Sequence, residues 1–185
     1  KLDQDLEAGT MVDIGGGSAE LTSIKGGFDL AKTSIPQGSL SSFANYVAGL
    51  MPTQKEVNAI AQAFRELAEK EETDVYHCTQ LYGIGGSIRS AAKLYGDLCN
   101  NGNRFNYLLP EHIDAILNRY AEDPNAFAHE ALRTLPDRIH TLIPGCVIIR
   151  EAFKLCGGER LDICKYGVRE GYLAERVLVK PVSFA

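Results

Sequence analysis

Three consecutive glycines, Gly15-Gly16-Gly17, stand between the short apolar runs Thr10–Ile14 and Ala19–Ile24. No other stretch restricts the fold as much. Each run has the length and residue types of a strand and is too short for a helix. A third run, Phe28–Ile35, follows Lys25-Gly26-Gly27, a link that favours a tight hairpin because glycine takes positive φ without steric cost. Pro36 ends that strand, since it brings no N–H to a ladder. The chain therefore opens as two successive hairpins.

The remainder alternates helices with strands. Thr53-Gln54-Lys55-Glu56 is a capping box behind Pro52, and Val57, Ile60, Ala61, Phe64, Leu67 and Ala68 follow on one face of a 3.6-residue period. Glu69-Lys70-Glu71-Glu72 reads as the solvated end of that helix. Val75–Ile84 reads as a strand, with His77 and Cys78 packed within it, and Ser87–Tyr95 as the next helix. Residues 97–106 read as a polar loop. Pro110 opens a helix that carries Ile113, Ile116, Leu117 and Tyr120 and breaks at Asp123-Pro124-Asn125. Pro144 is expected to open another helix, through Leu155, capped by Gly157-Gly158. Leu161–Cys164 reads as a short buried strand and Val168–Leu178 as a terminal helix. Crossover helices between strands imply parallel pairing in a mixed sheet. The expected fold is α/β: a ribonuclease-H-like, actin-like half-domain, with a mixed five-stranded sheet flanked by helices. It forms one domain over residues 1–185, with a helical insertion at about 97–136.

The formal charge of −5, from 19 basic and 24 acidic residues, shows no basic stripe and argues against a nucleic-acid or acidic-membrane binder. No apolar run approaches the length of a membrane span. The five cysteines (Cys78, Cys99, Cys146, Cys156, Cys164) form no C-x-x-C pair, and the four histidines show no metal-ligand spacing. Reduced structural thiols in a cytoplasmic protein are expected. Any metal chemistry should then use carboxylates and a hard cation.

The chemistry-bearing residues gather at two glycine turns. In the first, a phosphate can approach the backbone N–H groups at Gly15, Gly16 and Gly17 directly, and Ser18 adds a hydroxyl donor. Asp13 at the strand end and Glu20 after the turn suit the oxygen shell of Mg²⁺, or the orientation of a water molecule. The same residues would also serve as a plain exposed hairpin. The second turn, Gly83-Ile84-Gly85-Gly86-Ser87, runs from a strand into a helix whose N-terminus offers unpaired N–H groups. Close helix–strand packing would demand glycine there too. Arg89, in the first turn of that helix, can reach phosphate or remain a solvated or salt-bridged arginine.

Taken in order along the chain, these motifs resemble the Ppx/GppA family of exopolyphosphatases and guanosine pentaphosphate phosphatases, within the actin–sugar kinase–Hsp70 superfamily. Asp13–Leu21 is similar to its DIGGGS-x-E-L phosphate loop. Ser34-Ile35-Pro36-Gln37-Gly38 resembles the segment after its third strand, and Gly83–Ser87 its second glycine motif, with Ile84 and Ser87 in place of two threonines. Ile143-Pro144-Gly145 with Arg138, and Tyr166–Gly171, resemble its late signatures. His140 stands where the family usually has an aspartate.

The resemblance implies hydrolysis of a terminal phosphoanhydride in polyphosphate or in guanosine pentaphosphate, with polyphosphate or guanosine pentaphosphate or tetraphosphate as the bound partner. Gly15–Ser18 would cradle the phosphoryl group, Asp13 and Glu20 would hold Mg²⁺ and its waters, and Gly85, Gly86, Ser87 and Arg89 would face them. Arg169 and Glu170 read as a structural pair. The family's N-terminal lobe, with its second phosphate loop and general-base glutamate, has no counterpart here. The chain is thus expected to be the second half of a two-lobed enzyme and to hydrolyse little by itself. Half of an ATPase or sugar kinase, or a non-catalytic nucleotide- or alarmone-sensing module, would use the same loop. A homodimer stays open.

Overall fold

Strand β1 (Ala8–Ile14) pairs antiparallel with β2 (Ala19–Lys25) on one side and parallel with β4 (Gln80–Ile84) on the other. Beyond β2 lies antiparallel β3 (Phe28–Ile35); beyond β4 lies parallel β6 (Arg160–Ile163), edged by antiparallel β5 (Tyr107–Leu108). The order across the sheet is β3-β2-β1-β4-β6-β5. This architecture is that of a computed structural model, which describes residues 8–103, 105–173 and 176.

The mixed sheet flanked by helices is the ribonuclease-H-like arrangement expected from the element order, with six strands in place of five. The extra strand, β5, is two residues long, too short for alternation to mark it. It is held because Ile163 N–H donates to Asn106 C=O at 2.7 Å and Leu108 is fully buried. The Lys25-Gly26-Gly27-Phe28 hairpin forms as expected: Gly26 and Gly27 have φ of +57° and +81°, the pair of positive values that a twisted two-residue turn requires.

Among the described residues seven α-helices follow the sequence with several departures. Helix α2 (Gln54–Ala68) starts at the expected capping box, with Thr53 N–H donating to Glu56 at 2.6 Å, and buries Val57, Ile60, Ala61, Phe64 and Ala68. A helix α1 (Ser39–Tyr46) precedes it in a stretch with no helical signal, because its buried positions are Ser39 and Ser42 rather than an apolar stripe. The strand expected from Val75 begins only at Gln80. Residues Asp74–Tyr76 form a 3-10 turn tied to the sheet by Thr10 Oγ1 donating to Tyr76 C=O at 2.7 Å, and His77 is exposed beyond it.

Helix α3 (Gly86–Cys99) leads to α4 (Pro110–Glu122). The break at Asp123 is also a start: its carboxylate accepts from Asn125 N–H and Ala126 N–H and caps α5 (Pro124–Thr134). Helix α6 (Ile139–Cys156) begins five residues ahead of Pro144, which sits inside it and is buried. A 3-10 turn over Pro136–Arg138 already sets the helical path, so the proline only removes one donor further on. Gly157, at φ +63°, caps α6 as expected. Helix α7 is described over Val168–Leu173. The rest of the expected terminal helix, to Leu178, lies outside the described residues, as do the side chains of Arg169 and Glu170.

Val12, Ile14, Ala19, Leu21, Leu81 and Leu161 form the covered face of the sheet, and α6 runs through the core in contact with α1, α2, α3 and α4. One buried charge crosses this core. The Glu151 carboxylate in α6 accepts from Arg65 of α2 at 2.9 Å and from Lys154 at 3.0 Å, with Arg150 Nε 3.4 Å away. Burial opposes its ionisation, but the hydrogen bonds and charges of Arg65 and Lys154 outweigh that and hold its carboxyl below the ordinary value. All five cysteines are free thiols; burial pushes the Cys146 and Cys156 thiols up to about 12, which keeps them unreactive. Among the described residues no helix is long and apolar enough to cross a membrane.

Candidate functional site

The parallel pairing of β1 with β4 sets Asp13 level with Ile84, so both strands end together and both glycine turns leave from the same edge of the sheet. In open α/β sheets this carboxyl edge is where ligands are received. The first turn is closed by Gly15 N–H donating to Ser18 C=O at 3.0 Å. The second passes through Gly85 directly into α3.

The glycines of the two turns are required for different reasons. Gly85 has φ +101°, and a Cβ there would lie 2.7 Å from Asp13 Oδ1; at Gly86 it would lie 2.6 Å from a guanidinium nitrogen of Arg138. Gly85 is glycine because its backbone is left-handed and the Ile14 carbonyl also stands 3.0 Å from that Cβ, whereas at Gly86 only the mobile tip of Arg138 would have to shift. Gly85→Ala is accordingly expected to cost about 1–3 kcal/mol through backbone strain and to displace Asp13. A thermal melt as high as that of the unaltered chain would contradict this. None of Gly15, Gly16 and Gly17 has positive φ. A Cβ at Gly15 or Gly16 would make only ordinary contacts at 3.4–3.5 Å, and at Gly17 it would meet nothing within 4 Å. Neither backbone conformation nor packing within the described chain demands glycine at these three positions. Their bare backbone is left open to an approach from outside, and among the described residues no acceptor takes the Gly16 or Gly17 N–H.

Asp13 and Glu20 are direct cross-strand partners and project to the same side of the sheet. Glu20 is held in place by the hydroxyls of Ser18 and Ser34, the latter donating at 3.1 Å. Burial pushes the Asp13 carboxyl up, the neighbouring charge of Glu20 adds to this, and Arg89 offsets part of it. Arg89 is exposed and acts on Asp13 through its charge. Among the described residues no three His, Cys, Asp or Glu side chains converge as a metal cluster; beside the turn stand this carboxylate pair and its serines, and Asp137 lines the cavity behind it.

Behind the turns lies a cavity of about 500 Å³, bounded by Gly15, Gly16, Ser39, Gly86, Ser87 and the Asp137–Thr141 stretch without Ile139. Ser87 Oγ donates to Ser39 Oγ at 3.2 Å, and Gly145 of α6 backs this pair, with room for its Cβ only 3.4 Å from that of Ser87. The guanidinium of Arg138 lies over Gly86, and the His140 ring meets Phe43 edge-on at 5.1 Å. The cavity thus combines hydroxyls, the N-terminal N–H groups of α3 and the Arg138 guanidinium, donors suited to phosphate oxygens, with the Asp137 carboxylate and the His140 ring on the same wall.

The glycines, serines and carboxylates expected from the sequence lie at this edge, while Arg89 is exposed one turn into α3 and reaches Asp13 only through its charge. The turn Gly15–Ser18 and the carboxylates Asp13 and Glu20 form one side, and Gly85, Gly86 and Ser87 the other. Sequence reasoning did not single out Ser39 or Thr141 and took Arg138 only as part of a late motif. Ser39 follows Gly38 in a helix without an apolar stripe, and the Gly-Ser start was the one available signal.

The Ppx/GppA phosphatase family profile matches residues 4–180. Among solved structures, an *Aquifex aeolicus* member of that family superposes with a TM-score of 0.73 at 25% identity, over 92% of this chain and 56% of that one. The type II variant of the Aquifex aeolicus Ppx/GppA phosphatase gives 0.74 at 24% identity over 95% and 59%. An exopolyphosphatase from *Cytophaga hutchinsonii* gives 0.74 at 17% identity over 91% and 56%. The chain spans little more than half the length of these proteins. No curated protein matches it. With its two glycine turns, carboxylate pair and sheet order all in place, the chain belongs to the Ppx/GppA phosphatase family.

Proposed function

We propose that this chain is the phosphate-binding lobe of a Mg²⁺-dependent phosphohydrolase that acts on the terminal phosphoanhydride of inorganic polyphosphate or guanosine pentaphosphate. The observation that carries this reading is the turn Gly15–Gly17, three glycines that the chain's own conformation and packing do not need, beside a pair of carboxylates. Backbone N–H groups of the turn take phosphoryl oxygens, and Arg138 and the α3 N-terminus neutralise charge on the opposite wall.

Asp13 and Glu20 are the residues that would hold Mg²⁺, which takes one or two carboxylates and fills its shell with phosphate oxygens and water. The donor set fits: Asp13 is pushed toward protonation by burial and by the charge of Glu20, the imbalance that a bound cation relieves. When bound, the ion supplies neutralisation of the phosphate chain. The general base belongs to a second lobe, so the chain by itself binds phosphate chains and releases little phosphate.

Calorimetric titration with tripolyphosphate, with and without Mg²⁺, tests the reading. Binding is expected only with Mg²⁺ and is expected to disappear in Asp13→Asn; no binding to the unaltered chain overturns the proposal. The Asp13 carboxyl titrates above its ordinary value, so Mg²⁺ must compete with its proton. Affinity is therefore full above that raised pKa and falls as pH drops through it, at a higher pH than an ordinary aspartate would give. Competition between polyphosphate and guanosine pentaphosphate then decides the substrate.

A further inference from the structure

The first turn of α1 makes an unusual set of bonds. A helix start leaves its first N–H groups without partners inside the helix. Here Ser39 N–H donates to Gly15 C=O at 3.0 Å, and Leu40 and Ser41 N–H both donate to Gly16 C=O, at 2.9 and 2.8 Å. The Ser39 hydroxyl also donates to Gly15 C=O at 3.2 Å, and the Ser41 hydroxyl proton is shared between Gly17 C=O at 3.2 Å and Gly38 C=O at 3.3 Å. Ser41 Oγ in turn accepts from Gly38 N–H at 2.9 Å, which fixes the hydroxyl between the helix start and the turn. Gly38 permits the approach: a Cβ there would lie 2.6 Å from Gly15 O and from Gly16 C and O.

We infer that Gly38, Ser39 and Ser41 are positioning residues for the phosphate turn: they hold the carbonyls of Gly15, Gly16 and Gly17 and so fix the direction of the N–H groups that follow them. A planar trans peptide points its N–H opposite to its C=O. With three successive carbonyls turned to α1, the N–H groups of Gly16, Gly17 and Ser18 all face away from it. Three glycines in a row would otherwise leave this segment the loosest in the molecule. The α1 N-terminus is therefore not an anion site, because its donors are already taken by the turn. Ser39 also accepts from Ser87, so the same brace ties the first glycine turn to the start of α3. The inference about the turn's geometry stands on these bonds; its consequence for ligand binding rests on the function proposed above.

Amide exchange and ¹H–¹⁵N spectra of the whole chain test it. In the unaltered chain Leu40 and Ser41 amides are expected to be protected, and Gly16 and Gly17 amides to exchange freely. In Ser39→Ala/Ser41→Ala, protection of the amides at positions 40 and 41 is expected to fall by about tenfold or more, and the Gly16–Ser18 signals to move, while Val12 in β1 stays protected. Ser41→Ala alone gives the same reading if the double variant unfolds, and Ser41→Thr is expected to restore the signals. Unprotected Leu40 and Ser41 in the unaltered chain, or unmoved Gly16–Ser18 signals in the variants, would overturn the brace. Addition of Mg²⁺ and tripolyphosphate separates the two proposals. Weaker binding by about tenfold in the double variant supports positioning, and equal binding refutes it. No binding to the unaltered chain defeats the proposed function and leaves the exchange data to decide the brace.

Discussion

Alanine at Gly17 is expected to leave the chain as stable as before, or up to about 1 kcal/mol more stable, and to weaken Mg²⁺-dependent tripolyphosphate binding by at least about tenfold. The two halves of this result come from one observation. A Cβ at Gly17 meets no atom within 4 Å and the backbone there is not left-handed, so the methyl group is harmless to the fold and removes a degree of freedom from the unfolded chain. The same methyl group would stand on the open side of the turn, where a phosphate must come close to the N–H groups. A melting curve and a titration on one variant suffice. Unchanged affinity would mean that phosphate does not approach this turn, and a marked loss of stability would mean that the glycine serves packing after all. Gly85→Ala is the internal contrast, because there the chain itself fills the space.

Removing the buried carboxylate in Glu151→Ala should have the largest effect on stability. It strips Arg65 and Lys154 of their acceptor and leaves a gap between α2 and α6. Breaking a buried pair costs about 3–5 kcal/mol. The Arg65 side chain is 53% exposed and can return to water, so the lower end, about 3 kcal/mol, is expected. That corresponds to roughly 6–12 °C in melting temperature for a chain of this length. The Glu151 carboxyl is held below its ordinary value, so its contribution is present above the unfolded carboxyl pKa and disappears as pH falls through the folded one. Glu151→Gln should remove that acid-side decline while keeping the volume. A variant melting within about 1 °C of the unaltered chain would show that the ion pair contributes no net stability.

The parts of this protein that were legible in the sequence are those whose signal is local. The hairpins announced themselves through Lys25-Gly26-Gly27 and Pro36, and α2 through its capping box and apolar stripe, because turn chemistry and helix periodicity need no knowledge of what lies across the core. The first glycine turn was legible for the same reason: a strand, a glycine run and flanking carboxylates are adjacent in the chain. Helix α1 was not. Its buried positions are serines, and it is held by carbonyls some two dozen residues earlier in the chain. Two-residue β5 exists only because β6 offers it an edge. Pro144 was read as a start because a proline suits a first turn, but the core demanded a longer helix and tolerated the proline inside it.

Sequence alone determined the opening hairpins, helix α2, the two glycine turns and the two carboxylates beside the first of them. These depend on backbone freedom, hydrogen-bond donors and residue spacing within a few positions. Tertiary structure decided which glycines serve the fold and which stand open, and that Asp13 is buried beside Glu20. It also brought Arg138, from far along the chain, over Gly86, and turned the carbonyls of the first glycine turn toward α1. Each of those facts is a distance between segments far apart in sequence, set by packing around β1 and α6, and no local pattern records it.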